Sequence, residues 1–263
     1  MIKLVASDVD GTLLQSKVGK ISPEMFAVIS RLSEMGILFV AASGRQYGNL
    51  RNLFLPVQDK IAYICENGAL VAYQEELLFR YEMPRDLGNE ILNTILKEKN
   101  CEIMVSGVHT CYINSNNKEF THYLREELKN HVTDVEDLTK IEESYLKISI
   151  FAGEDAEKRL DFWNQQFDER VKVVTSGNGW LDIIPSGVDK GTALKVLQKK
   201  LHVSRDEIIA FGDNYNDIEM LTAAGVSVAV ENAKEGVKAV CEFETDTVEQ
   251  MIESFLEGKR ILT

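Results

Sequence analysis

No stretch of this 263-residue sequence approaches the roughly 20 consecutive apolar residues that a membrane-spanning helix requires. Asp8 arrives too early for the apolar core of a signal peptide, so the expectation is a cytoplasmic protein with no membrane partner. Cysteine is scarce. Cys65, Cys101, Cys111 and Cys241 form no Cys-x-x-Cys pair and no zinc-like spacing with histidine, which leaves buried or incidental thiols. His109, His122, His131 and His202 are scattered, with no metal-type pair on one helix face. Positive charge is also short, with 29 Lys and Arg against 42 Asp and Glu and a formal net charge of −13. That balance argues against a nucleic-acid partner. It would also repel an anionic substrate, so any phosphate site must rest on a bound cation and a few local basic groups. Internal repeats and low-complexity segments are absent.

What is present begins at the N-terminus. Ile2 to Ala6 is apolar apart from Lys3, as in a strand buried on both faces of a parallel sheet. The run leads into Asp8-Val9-Asp10-Gly11-Thr12. Asp8 and Asp10 share one side of an extended backbone, and two carboxylates aimed at one spot repel unless a cation or a shared proton relieves them. Gly11 permits a sharp turn and close backbone approach, and Thr12 offers a hydroxyl and an amide. Alone, the stretch is equally a strand closing in a polar turn.

Ser22-Pro23-Glu24 predicts a helix start, with Met25, Val28, Ile29, Leu32 and Met35 as its apolar stripe and Gly36 as its end. A second apolar run, Ile37 to Ala42, closes on Ser43-Gly44-Arg45. A short helix over 46–53, a third run from Ala62 to Cys65 and a hairpin over 69–73 and 77–81 follow. Such alternation predicts a parallel sheet with crossover helices. Between Pro84 and Pro185 the pattern changes to helices near 86–99, 119–130 and 155–167, with strands near 102–106, 110–114, 145–151, 171–176 and 180–184. The alternation in Lys147-Ile148-Ser149-Ile150 predicts half-exposed strands with helices on one face. Gly107-Val108-His109 and the glycines around Asn178 suit hairpin turns. The first pattern then resumes, with a helix over 191–201 opened by Asp189-Lys190 and a strand over 207–211. That strand ends at Gly212-Asp213-Asn214-Tyr215-Asn216-Asp217, before a helix over 218–224, a strand over 226–230 and a closing helix near 247–258. The expected fold is α/β: a Rossmann-like parallel-sheet core over 1–82 and 188–263, with an α+β domain inserted over 83–187.

Ligands of open parallel sheets bind beyond the carboxyl ends of the strands. Asp8/Asp10, Ser43-Gly44-Arg45 and Asp213/Asp217 each follow directly on an apolar strand, so neighbouring strands would bring them to one edge. The carboxylates make a hard oxygen site suited to Mg²⁺. Ser43, the Gly44 amide and Lys190 at a helix start suit the remaining oxygens of a phosphate. A carboxylate beside a metal and a phosphate can itself attack phosphorus. The chemistry this set suits is phosphoryl transfer.

In chain order, Asp8-Val9-Asp10-Gly11-Thr12, Ser43-Gly44-Arg45, Asp189-Lys190-Gly191 and the stretch Gly212 to Asp217 resemble the motifs of the haloacid dehalogenase (HAD) superfamily. Glu66-Asn67-Gly68-Ala69 and Asn232-Ala233 resemble its Cof-type phosphatase branch, which carries a large type II cap between the second and third motifs. The resemblance implies a Mg²⁺-dependent phosphatase of small phosphorylated metabolites, such as sugar phosphates or phosphorylated cofactors. It implies Asp8 as the nucleophile that becomes an aspartyl-phosphate and Asp10 as the general acid/base. It assigns Mg²⁺ to the Asp8 carboxylate, the Asp10 main-chain carbonyl and Asp213, with Asp217 orienting the metal's surroundings. Gly11, Thr12, Ser43, Gly44, Arg45, Lys190 and Asn216 fall to phosphate and substrate. The inserted domain becomes a mobile cap, and the protein a monomer or weak homodimer.

Plainer roles stand beside these. Ser43 is also readable as a helix cap, Lys190 as a solvated helix end and Asp217 as the N-cap of the helix at Ile218. Arg45 suits a surface salt bridge as well as a substrate contact. Asn67 reads as a turn residue, Trp180 and Asp182 as packing and turn residues, and Asn232 as closing a loop beside the metal. A phospho-aspartate switch would use Asp8, Ser43 and Lys190, but it needs neither Asp10 nor an inserted domain. A two-metal nuclease would use the aspartates, but it needs a basic track that this sequence lacks.

Overall fold

The computed structural model describes residues 1–15, 19–98, 101–176 and 179–258. Parts of three expected features lie outside these residues: the loop before Lys20, the helix end at Lys99 and the turn at Asn178. The chain opens with strands β1 (Leu4–Asp8), β2 (Leu38–Ala42), β3 (Ile61–Cys65), β4 (Leu70–Tyr73) and β5 (Glu76–Arg80). It continues through β6 (Glu102–Ser106), β7 (Cys111–Ile113), β8 (Val132–Asp134), β9 (Lys147–Phe151), β10 (Val171–Thr175) and β11 (Trp180–Pro185). It closes with β12 (Ile208–Gly212), β13 (Val226–Val230) and β14 (Phe243–Thr245). Among the described residues, the first and last groups share one eight-stranded sheet, ordered β14-β13-β12-β1-β2-β3-β4-β5. The middle group forms a six-stranded sheet, ordered β10-β11-β9-β6-β7-β8.

The eight-stranded sheet is parallel from β14 to β3, and the hairpin β4–β5 continues it antiparallel. β1 lies at its centre, with Leu4 in register with Leu38 on one side and Ile208 on the other. The chain winds outward from β1 in one direction and from β12 in the other, so their carboxyl ends flank the topological switch point. Every residue of β1 is buried, as its apolar run requires. Helix α1 (Pro23–Glu34) begins where Ser22 Oγ accepts a hydrogen bond from the Met25 amide at 3.0 Å, and it buries Met25, Val28, Ile29 and Leu32. Met35 departs from the expected stripe: it is the C-cap residue and is exposed.

In the six-stranded sheet, helices α3 (Arg85–Ile95) and α5 (Ala156–Gln166) cover one face, where Ile91, Leu92, Ile95 and Trp163 meet Ile148, Ile150, Leu181 and Ile183. (The short α2, Tyr47–Leu53, belongs to the eight-stranded side.) The other face differs from expectation. Lys147 and Ser149 are buried rather than half-exposed, because their side of β9 is turned toward the eight-stranded sheet. The helix expected over 119–130 is interrupted. Helix α4 (Lys118–His122) runs into a wide turn over Tyr123–Glu127, where the Leu128 amide reaches back five residues to the Tyr123 carbonyl at 2.9 Å. Such π-type turns widen one helical step and recur at functional sites. Strands β8 and β14 escape the sequence patterns: each is three residues long at a sheet edge, too short to show a period. No helix among the described residues is long and apolar enough to cross a membrane.

Candidate active site

Asp8 ends β1 and is buried beside Lys190, the first residue of α6 (Lys190–Leu201). Asp189 caps that helix by accepting from the Thr192 amide at 2.7 Å, which sets Lys190 at the helix mouth. Lys190 Nζ donates to Asp8 Oδ1 at 2.5 Å and to Asp217 Oδ1 at 2.6 Å. It is buried, not a solvated helix end. Asp217 Oδ2 accepts from the amides of Asp213 and Asn214 at 3.1 and 3.0 Å, so this carboxylate organises the loop after β12. Its side chain does not cap the helix α7 (Ile218–Ala223) that follows. Thr12 Oγ1 donates to Asp213 Oδ1 at 2.7 Å. Gly11 has φ +98°, and a Cβ there would collide with the Asp213 carboxylate. Asn232 Nδ2 holds the Gly11 carbonyl at 2.8 Å, closing the loop beside the aspartates.

A second cluster surrounds Asp10. Arg45 donates from Nε to Asp10 Oδ2 at 2.8 Å and from Nη2 to Oδ1 at 2.7 Å. Ser43 Oγ accepts from the Arg45 amide at 3.1 Å and makes a longer contact to Asp10 Oδ2 at 3.4 Å. Arg45 Nη1 reaches Asn49 Oδ1 at 3.0 Å, and Asn49 Nδ2 reaches Asn130 Oδ1, on the six-stranded side, at 3.2 Å. Burial works against the guanidinium charge, but its hydrogen bonds to Asp10 raise its pKa overall. Beside this cluster lies a cavity of about 70 Å³ between the sheets, walled by Arg45, Asn49, Met104, Tyr123, Asn130 and Trp180.

Residues 5–252 match the profile of the haloacid dehalogenase-like hydrolases. The chain belongs to that family. It is 30% identical over 246 residues to the 5-amino-6-(5-phospho-D-ribitylamino)uracil phosphatase YbjI of Escherichia coli (strain K12), across 92% of this chain and 90% of the relative. It is 28% identical over 273 residues to phosphatase YwpJ of Bacillus subtilis (strain 168), across 94% and 95%. A crystal structure from Eubacterium rectale is 32% identical with a TM-score of 0.83, covering 97% of this chain and 99% of that one. This haloacid dehalogenase-like hydrolase is a phosphoric monoester hydrolase.

The acidic cluster of the hydrolase fits a divalent cation. Asp8, Asp213 and Asp217 each offer a carboxylate oxygen within 4.8 Å of the others. Asp8 Oδ2 is buried with no hydrogen-bond partner. Burial, Asp217 and Asp213 push the Asp8 carboxyl well up, against the pull of Lys190. Burial and Asp217 likewise push Asp213 up to about 6. Crowded carboxylates with an orphaned oxygen are what a hard cation relieves. The Asp10 carboxylate lies outside this trio, turned to Arg45.

Three residues that pattern reasoning underrates also belong here. Asn67 is more than a turn residue: at φ 55°, it donates from Nδ2 to Asp182 Oδ2 at 2.6 Å and accepts from Asn216 Nδ2 at 3.0 Å. Asp182 sits in β11, not in a turn, and gathers Lys147, Ser149, Ser176 and Asn67. Its signal is a charge inside an otherwise apolar strand, which must find partners once buried. Lys147 carries the same signal in β9. Trp180 packs as expected, its ring 5.0 Å from that of Phe151.

Proposed function

We propose that this phosphatase acts on small phosphorylated metabolites through an aspartyl-phosphate formed on Asp8, with Mg²⁺ as cofactor. The observation that carries the reading is the orphaned Asp8 Oδ2, a buried oxygen left free while Oδ1 is held by Lys190. Asp8, Asp213 and Asp217 would hold the ion, together with the Asp10 main-chain carbonyl. Mg²⁺, when bound, supplies positive charge against the transferring oxygens.

One oxygen of the Asp8 carboxylate attacks phosphorus, the new Asp8–phosphorus bond forms and the bond to the ester oxygen breaks. Asp10 gives its proton to the departing alkoxide. Asp10 then takes a proton from a water whose oxygen displaces Asp8 from phosphorus, releasing phosphate and restoring Asp8. Lys190 offsets the charge of Asp8 and Asp217 throughout. Ser43, Thr12, the Gly11 and Gly44 backbone and Asn216 bind phosphoryl oxygens, while Arg45 orients Asp10 beside the leaving group. Residues 83–187 act as the cap, and the cavity by Tyr123 and Trp180 receives the leaving alcohol. The Escherichia coli relative is named for a phosphorylated ribityl-pyrimidine, which supports sugar phosphates and phosphorylated cofactor precursors as substrates.

The test is a screen of phosphorylated metabolites with purified protein and Mg²⁺, alongside Asp8→Asn. Release of phosphate from one class, dependent on Asp8, is expected. Turnover that survives loss of Asp8 would remove the aspartyl-phosphate.

A further inference from the structure

Lys147 is not used by the chemistry above. It belongs to β9 in the six-stranded sheet, yet its ammonium is buried against the eight-stranded one. Nζ donates to the Gly44 carbonyl at 2.6 Å and to Asp182 Oδ2 at 3.0 Å, and lies 3.0 Å from Glu66 Oε2. Two of its three donors are thus taken by the Gly44 carbonyl and Asp182, and Glu66 stands within ion-pair distance. Burial works against this charge, but Asp182 and Glu66 outweigh it and keep Lys147 protonated.

Gly44 stands between Ser43 and Arg45, the two residues that contact Asp10. A single cation from the six-stranded sheet therefore grips the middle of the loop that arranges Asp10. A second route reaches the same loop. Asp182 accepts from Asn67, whose amide donates to the Ser43 carbonyl at 3.1 Å. Buried ion networks are poor sources of net stability, because apolar residues of similar volume serve as well. What a buried ionic network supplies instead is a single register between the parts it joins.

We propose that Lys147 is a positioning residue that sets the Ser43–Gly44–Arg45 loop against Asp10 when the six-stranded sheet is seated on the eight-stranded one. The inference rests on the reading of Asp8 and Asp10 as the reacting pair. A shift of about 1 Å in reacting geometry costs on the order of 10²-fold in rate.

The test compares wild type with Lys147→Met, which keeps the stem and drops the ammonium. A second variant, Lys147→Met with Glu66→Gln and Asp182→Asn, removes the stranded charges as well. Both are assayed with Mg²⁺ and p-nitrophenyl phosphate, and folding is followed by circular dichroism and melting temperature. The expected result is a fall in kcat of about 10- to 100-fold per folded molecule, with KM within about threefold of wild type. Unchanged kcat in a folded variant would overturn the proposal, whatever its melting temperature. A rise in KM alone would overturn it too, making Lys147 a substrate contact. Failure of both variants to fold would make it a stability residue and equally end the proposal. Asp8→Asn is run in parallel. If Asp8→Asn turns over, the reading of the site fails and this inference with it. If Asp8→Asn is dead while the Lys147 variants keep their kcat, this inference alone fails.

Discussion

Arg45 holds Asp10 in a two-bond fork, Nε to Oδ2 at 2.8 Å and Nη2 to Oδ1 at 2.7 Å. With the Ser43 hydroxyl added at 3.4 Å, Oδ2 has both lone pairs engaged, whereas Oδ1 keeps one free. Under the proposed mechanism, Oδ1 is thus the atom that would give up and recover the proton. Arg45→Ala releases the fork and should lower kcat/KM about 10- to 100-fold through lost orientation. Arg45→Lys should recover little, because an ammonium cannot form two parallel bonds. Steady-state kinetics of the two variants decide the matter. Near-wild-type turnover in Arg45→Ala would make the fork a bystander.

Asp8→Asn should keep the fold and lose turnover, since an amide oxygen is a poor nucleophile toward phosphorus. Lys190 retains Asp217 as a partner in that variant, so no buried cation is stranded. Circular dichroism should match wild type, and intact mass should exclude deamidation back to aspartate. Appreciable steady-state activity in such a sample takes Asp8 out of the nucleophile's role.

The proposed metal site predicts a pH-dependent stabilisation. Burial and Asp217 raise the Asp213 carboxyl from its ordinary 3.8 to about 6. In metal-free protein, the folded state then binds more protons than the unfolded chain between about pH 4 and about pH 6. The stability tied to this group is full below that window and lost as pH rises through it. A cation needs the ionised form and offsets the loss. Mg²⁺ should therefore raise the melting temperature more at about pH 7.5 than at about pH 5, and half-saturation for activity should need more Mg²⁺ on the acid side. EDTA should stop turnover and Mg²⁺ restore it. Equal stabilisation at both pH values would detach Asp213 from the ion.

The strand ends bearing Asp8, Ser43 and Asp213 are legible in the sequence because each interrupts a run of buried apolar residues with polar groups. Parallel strands then bring those interruptions to one edge, and the capping signals at Ser22 and Asp189 mark where helices begin. The partners of a polar side chain are not legible in this way. Lys147 looks like the solvent-facing residue of an alternating strand, and only the packing of one sheet on the other makes it a buried cation. Asp182 and Asn67 are similar cases, joined across 115 residues of sequence by one hydrogen bond. The wide turn at Tyr123–Glu127 is hidden as well, since one extra residue in a helical step leaves the apolar period of Phe120 and Leu124 intact.

The remaining prediction separates the two duties of Asp10. In the proposed mechanism it acts as acid when the alcohol departs and as base when water attacks the aspartyl-phosphate. A positioned acid/base contributes typically 10²–10⁴-fold per step, roughly 3–5 kcal/mol of barrier. Asp10→Asn should slow both steps, but not equally for every substrate. p-Nitrophenolate leaves well without a proton, so phosphorylation of the variant by aryl phosphates should be only mildly impaired. Alkyl phosphates lack that advantage and should show a much larger defect. Dephosphorylation involves no leaving alcohol, so its defect should be the same whichever ester formed the intermediate. Single-turnover measurements resolve the two rates, with rapid quench for the labelled intermediate and phosphate release for its breakdown. If the variant's phosphorylation rate falls equally with alkyl and aryl esters, proton donation is not what Asp10 supplies. Its contact with Arg45 would then act only to shape the site.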